Sequence, residues 1–84
     1  MSELLPALVD ERGSKCPVPV IALAKAAAAG SSLIDLLADD PVADIDVAAW
    51  CLMTGNTLES RTPLPDEQGS GVRYRVIISA HAPR

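Results

Sequence analysis

The sequence predicts an α/β fold: a two-layer sandwich of order β-α-β-α-β-β, with two helices on one face of a four-stranded mixed sheet. Three observations predict it. Two helix-forming segments each open on a residue followed by proline and close at a glycine. Four short apolar or alternating runs lie before, between and after them. A length of 84 residues leaves room for a single domain, expected over residues 1–84, whose short helical crossovers put neighbouring strands in parallel.

The elements follow in order. Leu5 to Asp10 is a short apolar run and reads as the first strand. The first helix opens at Cys16-Pro17 and runs through alanines to Ala29, with Gly30 placed to end it. Val20, Ile21, Ala24, Ala27 and Ala28 share a stripe at helical spacing, the expected buried face. Ser32 to Ala38 is the second strand, broken in its apolarity only by Asp35. The second helix opens at Asp40-Pro41 and runs to Thr54, stopped by Gly55-Asn56; Val42, Ile45, Ala49 and Leu52 are its expected stripe. In both helices proline suits the first position, where its missing N–H costs nothing. Thr57 to Thr62 and the alternating Val72 to Ser79 read as a closing antiparallel hairpin. The connector Pro63 to Gly71, rich in Pro, Gly and acid, reads as mobile.

Composition narrows the function classes. Hydrophobic residues are 49% of the chain, but thirteen are alanines, Phe is absent, and Trp50 and Tyr74 are the only aromatics. The core is therefore thin and aliphatic. Seven basic against eleven acidic residues give a net charge of −4, which opposes nucleic-acid binding. Neither a bilayer-length apolar run nor a basic-then-apolar leader is visible, so the expectation is a soluble cytoplasmic protein without membrane contact. Two cysteines and one histidine, His81, do not make a zinc site, nor a histidine-assisted nucleophile unless His81 folds back. No metal and no cofactor are expected.

The most informative stretch is Asp10-Glu11-Arg12-Gly13-Ser14-Lys15-Cys16-Pro17-Val18-Pro19. If Pro17 is the first helical residue, Cys16 is the N-cap, and its sulfur lies at the positive end of the helix dipole. A cysteine so placed has a lowered pKa, and Lys15 and Arg12 add charge of the same effect. Pro17 and Pro19 remove two early donors and leave the Val18 N–H for the sulfur; Gly13 permits the turn out of the first strand. A lone cysteine before a helix also reads as a small apolar residue, and chemistry alone leaves both readings open. Without a Cys-X-X-Cys pair or a histidine, the reactive reading narrows to a sulfur that carries a group. Cys51, late in the second helix, reads as passive. Asp40 reads as the second helix's N-cap, with Asp39 solvated beside it. Arg61, Arg73 and Arg75 read as a basic strip on the hairpin or as a solvated sheet face.

Asp10, Gly13, Cys16, Pro17 and Pro19 together resemble the D-x-x-G-x-x-C-P-x-P signature of TusA/SirA-type sulfur carriers. The resemblance extends to Ala38-Asp39-Asp40-Pro41, to Ala49-Trp50-Cys51 and to Thr54-Gly55-Asn56-Thr57-Leu58, over nearly the whole chain. Ser14 departs from it, standing where relatives carry a bulky apolar residue. The resemblance implies a sulfurtransferase that accepts sulfane sulfur as a persulfide on Cys16, with Arg12, Gly13, Lys15, Pro17, Val18 and Pro19 supporting the sulfur. It implies a donor protein, a cysteine desulfurase or rhodanese-like enzyme, and an acceptor protein serving tRNA thiolation, molybdenum-cofactor assembly or sulfur metabolism. A monomer is expected. The alternative is a non-catalytic interaction or regulatory module sharing the fold.

Overall fold

In the computed structural model, residues 5–65, 67 and 69–79 are described; His81 lies outside them. The chain runs β1 (Ala7–Asp10), α1 (Val18–Ala28), β2 (Leu33–Ala38), α2 (Ala43–Thr54), β3 (Thr57–Pro63) and β4 (Val72–Ile77). The sheet order is β1-β2-β4-β3. β1 and β2 pair in parallel, and β4 is antiparallel to both β2 and β3. The sheet is thus mixed, as the sequence predicts, with β2 in its interior. A bulge between Leu58 and Ser60 adds one residue, Glu59, to β3.

Side chains alternate across a strand, so β2 presents Ile34, Leu36 and Ala38 to one face and Leu33, Asp35 and Leu37 to the other. The first set is buried together with Leu23 of α1, with Ala43, Val47 and Cys51 of α2, and with Tyr74 and Val76 of β4. Both helices therefore cover the same face. The seam they bury is not the stripe the sequence suggests. In α2 the core-facing residues are Ala43, Val47 and Cys51, four apart, whereas Val42 and Ile45 are exposed and Leu52 is 84% exposed. In α1 the core takes Pro19 and Leu23, while Ile21 stays exposed. Small residues inside let the two helices lie close over a narrow four-stranded sheet, and the larger aliphatics are left outside.

The second face of the sheet holds a buried charge. Asp35 is 7% exposed and takes a two-pronged hydrogen bond from Arg75 directly across the β2–β4 ladder, at 2.7 Å on each prong. Arg61 belongs to the opposite face: it pairs with Tyr74 in the ladder and reaches Asp44 of α2 at 2.8 Å. The three arginines of the hairpin therefore do not form one strip, because the strand alternation divides them.

The helix ends show how glycine stops them. The Gly30 N–H donates to the Ala27 carbonyl and the Ser31 N–H to that of Ala26, a Schellman closure with Gly30 at φ +107. Gly55, at φ +77, ends α2. The connector between β3 and β4 is closed at its base by the Leu64 N–H donating to the Gly71 carbonyl.

Candidate functional site

The parallel pairing of β1 and β2 sends both chains out of the same end of the sheet, each into its own helix. That common end, outside the carboxyl ends of parallel strands, is where α/β proteins place their sites. Here the β1–α1 turn is held by two aspartates that leave β2. Asp39 Oδ1 accepts the Gly13 N–H at 2.9 Å. Asp40 Oδ2 accepts the Cys16 N–H at 3.0 Å, while its Oδ1 accepts the Val42 N–H at 2.9 Å. One carboxylate thus ties the start of α2 to the cysteine segment. A groove of about 300 Å³ lies alongside, lined by Gly13, Ser14, Lys15, Asp39, Asp40 and Pro41.

Cys16 is half-buried and not bonded to Cys51, and both thiols are free. It is not the N-cap of α1. Pro17 occupies that position after a cis Cys16–Pro17 peptide bond, no side chain caps the helix, and α1 begins at Val18. Pro19 is then the second helical residue rather than the third, and it is buried. The Val18 N–H, expected to serve the sulfur, donates instead to the Lys15 carbonyl at 2.9 Å.

The charge around the sulfur is also opposite to expectation. The thiol pKa is pushed up to about 11, chiefly by burial and then by the nearby Asp46 and Asp40 carboxylates. The expectation of a lowered pKa fails chiefly because burial disfavours the thiolate, and the charges of Asp46 and Asp40 add to the rise. Arg12 does not offset this: its guanidinium clasps Asp10, with Nε to Oδ1 at 2.9 Å and Nη2 to Oδ2 at 2.7 Å, and holds that carboxyl at about 2. Its stem packs against Gly71. Lys15 is exposed, and its charge helps to lower the Asp40 pKa, behind the backbone donors Val42 and Cys16.

Of the residues singled out in the sequence, Gly13, Lys15 and Pro17 lie in the β1–α1 turn with Cys16, while Val18 and Pro19 are the first two residues of α1. Gly13 has φ +90, where a side chain is strained. Sequence reasoning misses two residues that matter to the sulfur: it gives Asp40 only a capping role and does not single out Asp46. The signal for both is the repeated X-Pro helix start after each parallel strand, which sets the two starts side by side.

Cys51 is 3% exposed in the core, and burial raises its pKa. Tyr74 is buried, with its hydroxyl donating to Asp44; burial and that carboxylate raise the phenol. Trp50 is half-buried against the core. Among the described residues no cluster of His, Cys, Asp or Glu could hold a metal, and no helix is long and apolar enough to cross a membrane.

Compared with known families, residues 7–78 match the model described as Sulfurtransferase TusA. No curated protein matches the chain.

Proposed function

The chain belongs to the TusA sulfurtransferase family, whose members relay sulfur between partner proteins, and from that premise we propose that Cys16 is the atom on which it carries sulfur, as a persulfide. One observation carries the assignment. Of the two cysteines, Cys51 is sealed in the core, and Cys16 is half-exposed on a glycine- and proline-shaped turn at the end of the sheet.

The exchange balances without an added oxidant. A donor protein's persulfide, R–S–SH, meets the Cys16 thiol. The Cys16 sulfur bonds to the terminal sulfur, the donor's S–S bond breaks, and the donor leaves as R–SH with the proton that Cys16 gave up. Delivery to an acceptor sulfur repeats the step in the other direction. The turn residues serve by holding the sulfur at the surface. Gly13 is fixed by Asp39, the Cys16 backbone is fixed by Asp40, and Pro17 and Pro19 restrict the chain at the helix start.

A second reading, an interaction module without chemistry, draws support from the thiol being pushed up to about 11. The two readings separate on one experiment. After incubation with a cysteine desulfurase and cysteine, mass spectrometry of the carrier should show a gain of about 32 Da, one sulfur atom, on the Cys16 peptide. The adduct should persist in Cys51→Ala and vanish in Cys16→Ala. Its absence from the wild-type protein, or its survival in Cys16→Ala, removes the carrier assignment.

A further inference from the structure

Alternation along β4 sends Tyr74 and Val76 into the core and leaves Arg73, Arg75 and Ile77 on the other face of the sheet. Both helices lie on the core side, so among the described residues no element covers that face. Yet Asp35 and Leu37 of β2 are buried there, 7% and 8% exposed. Directly across the ladder from them stand Arg75 and Arg73, whose long stems shield them. The two arginines end differently. Arg75 closes its two-pronged bond to Asp35. Arg73 makes no hydrogen bond and no ion pair among the described residues, and its Nε is shut off from water without an acceptor. Each of the other described guanidiniums has a carboxylate: Arg12 holds Asp10, Arg61 holds Asp44 and Arg75 holds Asp35. A buried donor left without an acceptor costs free energy in the isolated chain. The ladder neighbours of Arg73, Leu37 and Thr62, supply no carboxylate to offset it.

We propose that this open face is a docking surface for a protein partner that lays an aspartate or glutamate carboxylate on Arg73 between aliphatic contacts. Charge complementarity fixes the chemistry, because a carboxylate accepts two parallel bonds from a guanidinium and Arg73 is the described guanidinium that has none. The aliphatic contacts flank it. Ile77, 40% exposed, lies four residues along the same strand, about 13 Å away. Leu8, 67% exposed, lies two strands across in the row of Arg75, about 12 Å away. One free cation in an apolar setting suits an acidic segment of protein; nucleic acid needs several cations to displace its counterions. A second copy of this chain fits less well. Its own face brings another unpaired Arg73, its Asp10 and Asp35 are already paired, and its exposed Glu59 bears on Arg75. Cys16 packs against the core on the helix side, so a partner held on the outer face leaves the sulfur open to another protein. The inference does not depend on which atom carries the sulfur.

The probe is a blocked decapeptide of alternating glutamate and leucine, titrated at low salt into the isotope-labelled full chain and followed by amide shifts in NMR. The shifts should concentrate in β1, β2 and β4 and spare α1 and α2. The same peptide with glutamine for glutamate should bind about tenfold more weakly, and so should the glutamate peptide on Arg73→Met, which keeps a stem over Leu37. Arg73→Met removes an unpaired donor, so its Tm should be raised or lie within about 3 °C of wild type. Shifts centred on the helices or the Cys16 turn, or equal binding of the glutamine peptide, overturn the surface. Undiminished binding to Arg73→Met, or a Tm lowered by more than that margin, overturns the role of Arg73. Dimerisation through this face in sedimentation, or binding of a single-stranded oligonucleotide there as tightly as the peptide, overturns the acidic protein partner. The glutamine comparison uses the unmutated protein and decides the matter even where Arg73→Met does not fold.

Discussion

Removing the Tyr74 hydroxyl tests how the acidic turn beside the cysteine is held. Tyr74 is buried in β4, and its hydroxyl donates to Asp44, which also pairs with Arg61 from β3. Tyr74→Phe deletes one donor and leaves no cavity. A hydrogen bond to a charged group is worth about 1.5–3 kcal/mol. Asp44, at 46% side-chain exposure, has water and Arg61 as substitutes, so the expected loss is about 1 kcal/mol. With an unfolding entropy of about 2.1 cal/mol/K per residue, 84 residues give about 0.18 kcal/mol/K and a Tm drop of about 6 °C. The loss should also depend on pH. Asp44 is held below its ordinary value by Arg61 and then by Tyr74. Its contribution is present above the unfolded carboxylate range near pH 4 and disappears as pH falls through the lowered folded value. Tyr74 is raised by burial and then by Asp44, so its contribution is complete below about pH 10 and is lost as pH climbs above that. Thermal melts followed by circular dichroism from about pH 2 to 11 should show the two proteins converging at both ends. A difference that stays constant across that range, or one under about 0.3 kcal/mol at neutral pH, refutes the reasoning.

Two further substitutions follow from the same geometry. Leu23→Ala empties the fully buried anchor of α1 and should cost about 3 kcal/mol in urea unfolding; a loss under about 1 kcal/mol would mean α1 does not depend on that contact. Gly13→Ala meets no atom within 4 Å but must adopt φ +90, so it should cost about 1–2 kcal/mol from the backbone alone, and wild-type stability in that variant would show the turn relaxing without strain.

The order of elements and the mixed sheet are legible in the sequence because proline, glycine and apolar spacing act locally. Pro17 and Pro41 mark the helix starts within two residues, and Gly30 and Gly55 mark the ends. Which face of each helix is buried is not legible. In α2 the stripe Val42, Ile45, Ala49 and Leu52 has helical period, and so does Ala43, Val47 and Cys51; hydrophobicity favours the first and packing selects the second. A thin sheet rewards small residues at the helix contact, and Asp44 locks the rotation by meeting Arg61 and Tyr74 across the fold. These partners lie 17 and 30 residues away, beyond what a local pattern reports. The site divides the same way. The cysteine turn is located by its own ten residues, but the cap at Pro17 and the raised thiol are not read from them. Nor are the carboxylates that govern it, because they arrive from the second β-α unit.

That division also explains why the dipole of α1 does not lower the Cys16 pKa. The expectation requires a sulfur at the N-cap, yet the chain needs one more residue to turn, and Pro17 takes the cap. The sulfur, one position before that cap, is partly buried, and burial raises its pKa with the Asp46 and Asp40 carboxylates adding to it. Two helix starts side by side would repel each other through their positive poles, and acids in the first turn relieve that. Asp44 and Asp46 occupy the first turn of α2, and α1 has no acid in its own. Asp46 thus belongs to that acidic first turn and also adds to the rise of the Cys16 pKa, which burial dominates.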